Sequence, residues 1–184
     1  YNDHIRPGKD RVVAHRSGSE TVEHAIDWLM DKPPDQPVFL WVHLFDAHRP
    51  WDASDDPSTT DYQAAIAKAD QATSRLLDVM AARGRLESSI IGLTSDHGEG
   101  LGDHGEETHG YFAYDSTIRV PMLFWVGNQE STHPATQGAR IDGPASLLDV
   151  ATTLTHAAGL SDGGPVGGTG IDLLAVGARV LNRN

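Results

Sequence analysis

The chain has 184 residues, 39% of them hydrophobic and 22% charged, enough for one folded domain with a buried core. Its 14 basic residues face 26 acidic ones, a net charge of −12 that argues against a nucleic-acid or anionic-membrane surface built from clustered Lys and Arg. Cysteine is absent, which removes disulfides, thiolate metal sites and a cysteine nucleophile. Asp outnumbers Glu by 19 to 7 and only 3 Lys occur, a balance that suits either a GC-rich genome or a salt-adapted surface. No apolar run approaches the roughly 18–20 residues that cross a bilayer. The polar start, Tyr1-Asn-Asp-His-Ile, reads like the interior of a longer sequence. A soluble chain is expected, either cytoplasmic or exported.

In chain order, Ser17-Gly-Ser-Glu20 has capping-box spacing, and Val22, Ala25, Ile26, Leu29 and Met30 follow at helical intervals. That helix should stop before Pro33-Pro34. Val38 to Phe45 is an apolar run interrupted by His43, and it predicts a strand covered on both faces. Residues 49–60, rich in Pro, Asp and Ser, predict an exposed loop. A second helix is predicted from about Thr60 to Arg83, with Tyr62, Ile66, Ala69, Leu76, Leu77 and Met80 on its apolar face and Gly84 at its end. Ser89 to Thr94 and Val120 to Val126 predict two more strands, and Ala145 to Ala158 a last helix closed by Gly159. The Gly-rich stretch 163–170 and the tail predict loop and edge. Strands alternating with helices give an α/β fold, a mostly parallel sheet flanked by helices, within a single domain.

In such sheets functional groups gather where strands end. The first predicted strand runs into His43-Leu-Phe-Asp-Ala-His48 and the second into Ser95-Asp96-His97-Gly98, so both deliver carboxylate and imidazole. Asp96 and His97 pair a hard oxygen with an imidazole nitrogen, a set that calcium, magnesium, manganese or zinc accepts if the chain turns there, as Gly98 would permit. A helix cap at Asp96 and a locally bonded His97 is the alternative. The loop that follows carries Glu99, Asp103, His104, Glu106, Glu107 and His109 among five glycines, a poor helix and a plausible site loop. His48 can protonate or hydrogen-bond an anionic oxygen, or simply anchor its loop. His43 is expected in the core. Asp46 is open between a metal ligand and a group that orients a histidine. His4, His15, His24, His133 and His156 lack such context. Trp41, Trp51, Tyr111, Phe112, Tyr114 and Trp125 are expected mostly in core or rim.

These segments resemble the sulfatase family of the alkaline phosphatase superfamily. Pro37 to Pro50 resembles its strand ending in a His-x-Pro step, and Thr94 to Gly105 its metal-binding segment. Thr108 to Met122 matches the stretch that follows. Tyr62 to Asp70 and Ser146-Leu-Leu-Asp-Val resemble its intervening and late helices, so the resemblance runs through nearly the whole chain in order. It implies an alkaline-phosphatase-like fold, with Asp96 and His97 as metal ligands, usually of calcium. It also implies His48 as a contact to the sulfate group, and His109 where many sulfatases have a substrate-binding lysine. Arg119 matches an arginine read as structural.

The resemblance further implies a formylglycine nucleophile made from Cys or Ser in an x-Pro-x-Arg setting, with further metal-binding Asp residues, all in an N-terminal half. None of these lies in this sequence, which also departs from the family pattern by lacking Pro before Thr152. The expectation is therefore the C-terminal part of one catalytic domain, inactive alone, whose partner is its own N-terminal half. The expected reaction is metal-dependent cleavage of a sulfate ester. Alternatives are a phosphodiesterase, phosphonate monoester hydrolase or phosphotransferase of the same superfamily, and a non-catalytic sulfatase-like binding domain.

Overall fold

The structure, a computed structural model, describes residues 16–51, 60–127, 140–160 and 169–175. The chain divides into two compact units, Tyr1–Leu86 and Glu87–Asn184.

The first unit is built on two helices, α1 (Gly18–Met30) and α2 (Asp61–Ala82). Ser17 caps α1 by accepting from the Glu20 amide, so half of the predicted capping box forms. Gly18 donates its amide to Asp46 at 3.1 Å, and a Cβ there would sit 2.3 Å from the same carboxylate. Asp46 thus supplies negative charge to the N-terminus of α1, which resolves its open role in favour of structure. Thr60 and Gln63 form a complete capping box on α2. At the other end Gly84 (φ +66°) closes a Schellman motif, with Arg85 N bonded to Met80 O and Gly84 N to Ala81 O.

Val22, Ile26 and Ala72 form the core between the helices, with Val42, Leu44, Leu76 and Val79 packed around them. The buried face of α2 is rotated from the predicted one: Ala65 and Ala72 are buried, while Ile66 is 43% exposed. Small residues win there because they let the helices approach closely. Arg85 is buried and donates to the carbonyls of Gln36, Lys32 and Pro33, tying the end of α2 to the turn after α1.

Residues 37–45 correct the predicted strand. They form no ladder, and burial alternates, with Leu40, Val42 and Leu44 half-buried while Phe39 and Trp41 are 82% and 81% exposed. One face is covered, not two. His43 falls on the exposed side, edge-on to Phe45, so it is not a core histidine.

In the second unit, β1 (Ile90–Thr94) and β2 (Met122–Val126) pair in an antiparallel register that sets Gly92 opposite Phe124. The parallel pairing expected of this α/β chain is not seen between them. A parallel return needs a long crossover, usually a helix. Among the described residues the connection holds one α-helix, α3 (Asp115–Ile118), of four residues, and a single 3-10 turn at Asp103–Gly105. Helix α4 (Leu147–Ala157) has a capping box from Ser146 and Asp149 and packs on β1, where Gly92 leaves room for Leu154. Buried Asp149 also accepts from Ile171 N at 2.7 Å, and buried Thr153 from Leu173 N at 3.1 Å, so residues 169–175 dock on α4 instead of trailing as an edge. Residues 163–168 of the expected loop and the tail beyond residue 175 lie outside the described residues.

Leu29 is 1% exposed. Leu29→Ala is expected to lower unfolding free energy by about 2–5 kcal/mol, whereas Ile66→Ala should cost less than about 1 kcal/mol. Urea denaturation of the two variants checks the rotated face.

Candidate functional site

Beyond β1 the chain bends at Asp96, and this bend, not Gly98, lets two neighbouring side chains share one side. The Ser95 hydroxyl donates to His97 O at 2.7 Å, and Asp96 Oδ1 accepts from His97 N at 3.1 Å. His97 Nδ1 lies 2.8 Å from Gly98 O and must donate to it, which leaves Nε2 as the nitrogen with a lone pair. Asp96 Oδ2 and His97 Nε2 are 3.8 Å apart. Two donor atoms at that spacing can share one divalent cation, whose oxygen ligands sit at about 2.3–2.6 Å in the case of calcium. The donor set therefore fits part of a metal shell. No group of three or more His, Asp or Glu side chains that could hold a metal occurs among the described residues.

Glycine is required after this pair for close approach, not for a turn. Gly98 N donates to Thr117 O at 2.8 Å, and a Cβ on Gly98 would lie 2.2 Å from Ser116 O. Gly100 N donates to Thr108 O at 2.9 Å, and its Cβ would meet the carbonyls of Glu106 and Thr108 at 2.4 Å. These contacts fold the loop back on itself and bring His109 over His97, with ring centroids 3.9 Å apart and planes 26° from parallel.

Two buried glutamates fix the result. Both carboxylate oxygens of Glu99 reach His109 Nδ1, at 3.2 and 3.3 Å. Glu106 accepts from the amides of Tyr111 and Phe112 and so shapes the chain beyond His109. An open pocket of about 390 Å³ results, lined by His97, His109, Tyr111, Phe112, Thr117 and Ile118 among others. Tyr111 and Phe112 stand exposed at this pocket instead of in a core.

The outer turn of the loop is strained, with Leu101 and His104 in the left-handed region at φ +53° and +51°. His104 stacks on Tyr114 and lies 3.0 Å from Asp103. The Ser116 hydroxyl, near Asp103 but outside strict hydrogen-bond geometry, and the His104 imidazole together hold the Asp103 carboxyl below the ordinary carboxylate range.

The predicted residues separate by unit. Asp96, His97 and His109 come together in the second. His48 lies in the first, where its Nδ1 contacts Arg49 O at 2.5 Å and its ring stacks on Phe45 at 4.3 Å. Nearby, Trp51 donates to Ala47 O at 2.9 Å, so this turn is built and not loose. Sequence reasoning left Glu99 and Glu106 among generic loop acids. The signal for Glu99 was available: in an extended segment residues 97 and 99 share a face.

Comparison with known proteins follows this geometry. The Sulfatase family model matches residues 5–160. Human iduronate 2-sulfatase is 36% identical over 73 residues, 40% of this chain and 13% of that protein. Phosphoethanolamine transferase EptA of Salmonella typhimurium is 26% identical over 153 residues, 81% of this chain and 26% of that one. Among solved structures, Ps i-CgsB in complex with k-i-k-neocarrahexaose superposes with a TM-score of 0.67 at 20% identity, over 91% of this chain and 39% of that one. The chain thus spans only 13% and 26% of these two relatives, and the structural likeness shows the fold alone.

Gly98→Ala is expected to cost about 1–3 kcal/mol through overpacking. Gly143→Ala, where no atom lies within 4 Å, should be close to neutral. Denaturation midpoints of the two variants decide.

Proposed function

The chain belongs to the sulfatase family, and on that premise we propose that it supplies the metal- and substrate-binding face of a sulfuric ester hydrolase. Asp96 and His97 hold a divalent cation, calcium by the family's habit, and His48 and His109 contact the ester oxygens. The observation that carries this reading is the His109 ring stacked on His97 at the mouth of an open pocket, with Asp96 Oδ2 3.8 Å from His97 Nε2.

The chemistry follows from charge. The oxygens of a sulfate ester repel a nucleophile, and a bound divalent cation supplies the positive charge that offsets them. His97 presents Nε2 because Nδ1 is committed to Gly98 O. With both ring nitrogens protonated, His109 offers its Nε2–H as a hydrogen bond or a proton to the oxygen that departs. In His48 the contact of Nδ1 with Arg49 O assigns substrate-side work to Nε2. With two candidate metal ligands here, the remaining ligands and the nucleophile come from other parts of the protein. A formylglycine in the N-terminal half is the nucleophile this reading requires, and the chain alone is then inactive.

A second reading has its own support. The transferase relative is similar over 81% of this chain, and a histidine at 109 in place of lysine suits phosphoryl chemistry as well. That reading takes a phosphate ester and an unmodified Thr or Ser nucleophile.

The test uses the full-length protein with calcium present and compares an aryl sulfate with the matching aryl phosphate. Faster turnover of the sulfate, with a peptide mass showing formylglycine, supports the hydrolase. Preference for the phosphate overturns it in favour of the second reading. Asp96 is largely exposed, so Asp96→Ala should keep the fold while lowering metal-dependent turnover at least about 100-fold. Unchanged turnover removes Asp96 from the site.

A further inference from the structure

We propose that Glu99 is the positioning residue of His109: its buried carboxylate takes the Nδ1–H, holds the ring against His97 and assigns the substrate side to Nε2. The inference rests on the reading of His109 as a substrate-facing group and adds the group that aims it.

Three observations carry it. First, the Glu99 side chain is 4% exposed, and a carboxylate so buried is tolerated only when donors meet it. Its donors are Gly100 N at 3.3 Å and His109 Nδ1, the latter within reach of both oxygens. Second, the contact bridges ten residues of a loop that glycine folds back on itself, so it is a product of the fold and not of local sequence. Third, the other buried glutamate of the loop behaves differently. Glu106 meets backbone amides, as a carboxylate that only braces a loop would. Glu99 instead meets a side chain that lines the pocket.

A carboxylate on one imidazole nitrogen fixes which nitrogen carries the proton and how the ring is turned. Here it leaves Nε2 to act at the pocket. The stack on His97 then has one orientation. Without Glu99 the ring could flip and exchange its two nitrogens.

The experiment takes the full-length protein labelled with ¹⁵N at histidine, with the His109 resonances assigned through His109→Gln. Glu99→Met keeps the volume and removes the acceptor, whereas Glu99→Gln keeps an acceptor oxygen. The wild type and Glu99→Gln are expected to show a proton held on His109 Nδ1, and Glu99→Met to lose that signature. On whichever aryl ester the wild type turns over, Glu99→Met should lower kcat about 10–100-fold with KM changed less than about twofold. Glu99→Gln should recover most of kcat. An unchanged Nδ1 signature in Glu99→Met, or an equal loss of kcat in Glu99→Gln, overturns the proposal. If the wild type turns over neither ester, the functional reading fails, and the Nδ1 signature still decides whether Glu99 positions His109. Should Glu99→Met not fold, the same signature and kcat in Glu99→Gln decide.

Discussion

The site depends on a backbone approach that only glycine allows. Gly98 and Gly100 lie so close to the carbonyls of Ser116, Glu106 and Thr108 that any Cβ would overlap them. The two amides at these positions bond across that gap, to Thr117 and Thr108. With the loop folded back, His109 meets His97, and Glu99 is closed off from water beneath them. A side chain at either glycine would push these elements apart before it touched any reacting group.

Burial of charge is the second organising theme, and in each case backbone groups of the complementary kind meet it: carbonyls for the arginine, amides for the carboxylates. Arg85 is buried against three carbonyls at the end of α1, where a helix terminus offers negative partial charge. Asp149 is buried against the amides of Ser146 and Ile171, and so joins the cap of α4 to residues 169–175. Glu106 holds Tyr111 and Phe112. Each tie spans residues that are distant in sequence or sit at an element's end, where propensity alone would leave the chain undecided. Breaking one partner strands the other in a place that water does not reach.

The bend after β1 has the same logic at its surface. Asp96 and His97 are oriented by bonds to their own backbone and to Ser95, so the oxygen and the nitrogen stand ready on one side of the bend. Two ligands fall short of the six to eight oxygens that calcium takes. On the proposed reading the pair would be one part of a larger shell, in a chain that spans 13% of its human sulfatase relative and 26% of its transferase relative.

The sequence by itself determined the long helices and where they end. Thr60-x-x-Gln63, Ser146-x-x-Asp149, Gly84 and Gly159 each act through neighbours within a few residues, so local chemistry sufficed to place helix ends within two residues. That Asp96, His97 and His109 belong to one loop after a strand was legible, because acids, histidines and glycines cluster there; the structure brings the three side chains together. Only the tertiary structure decided the rest. Which α2 residues are buried depends on the α1 side chains that meet them, as Val22 and Ile26 meet Ala72, and the antiparallel pairing of β1 with β2 joins residues far apart in the chain. Residues 37–45 read as doubly covered because apolar composition records hydrophobicity and not which partner arrives. Glu99 and His109 are ten residues apart, and their contact exists because two glycines let backbone touch backbone, a steric fact with no signature in either residue alone.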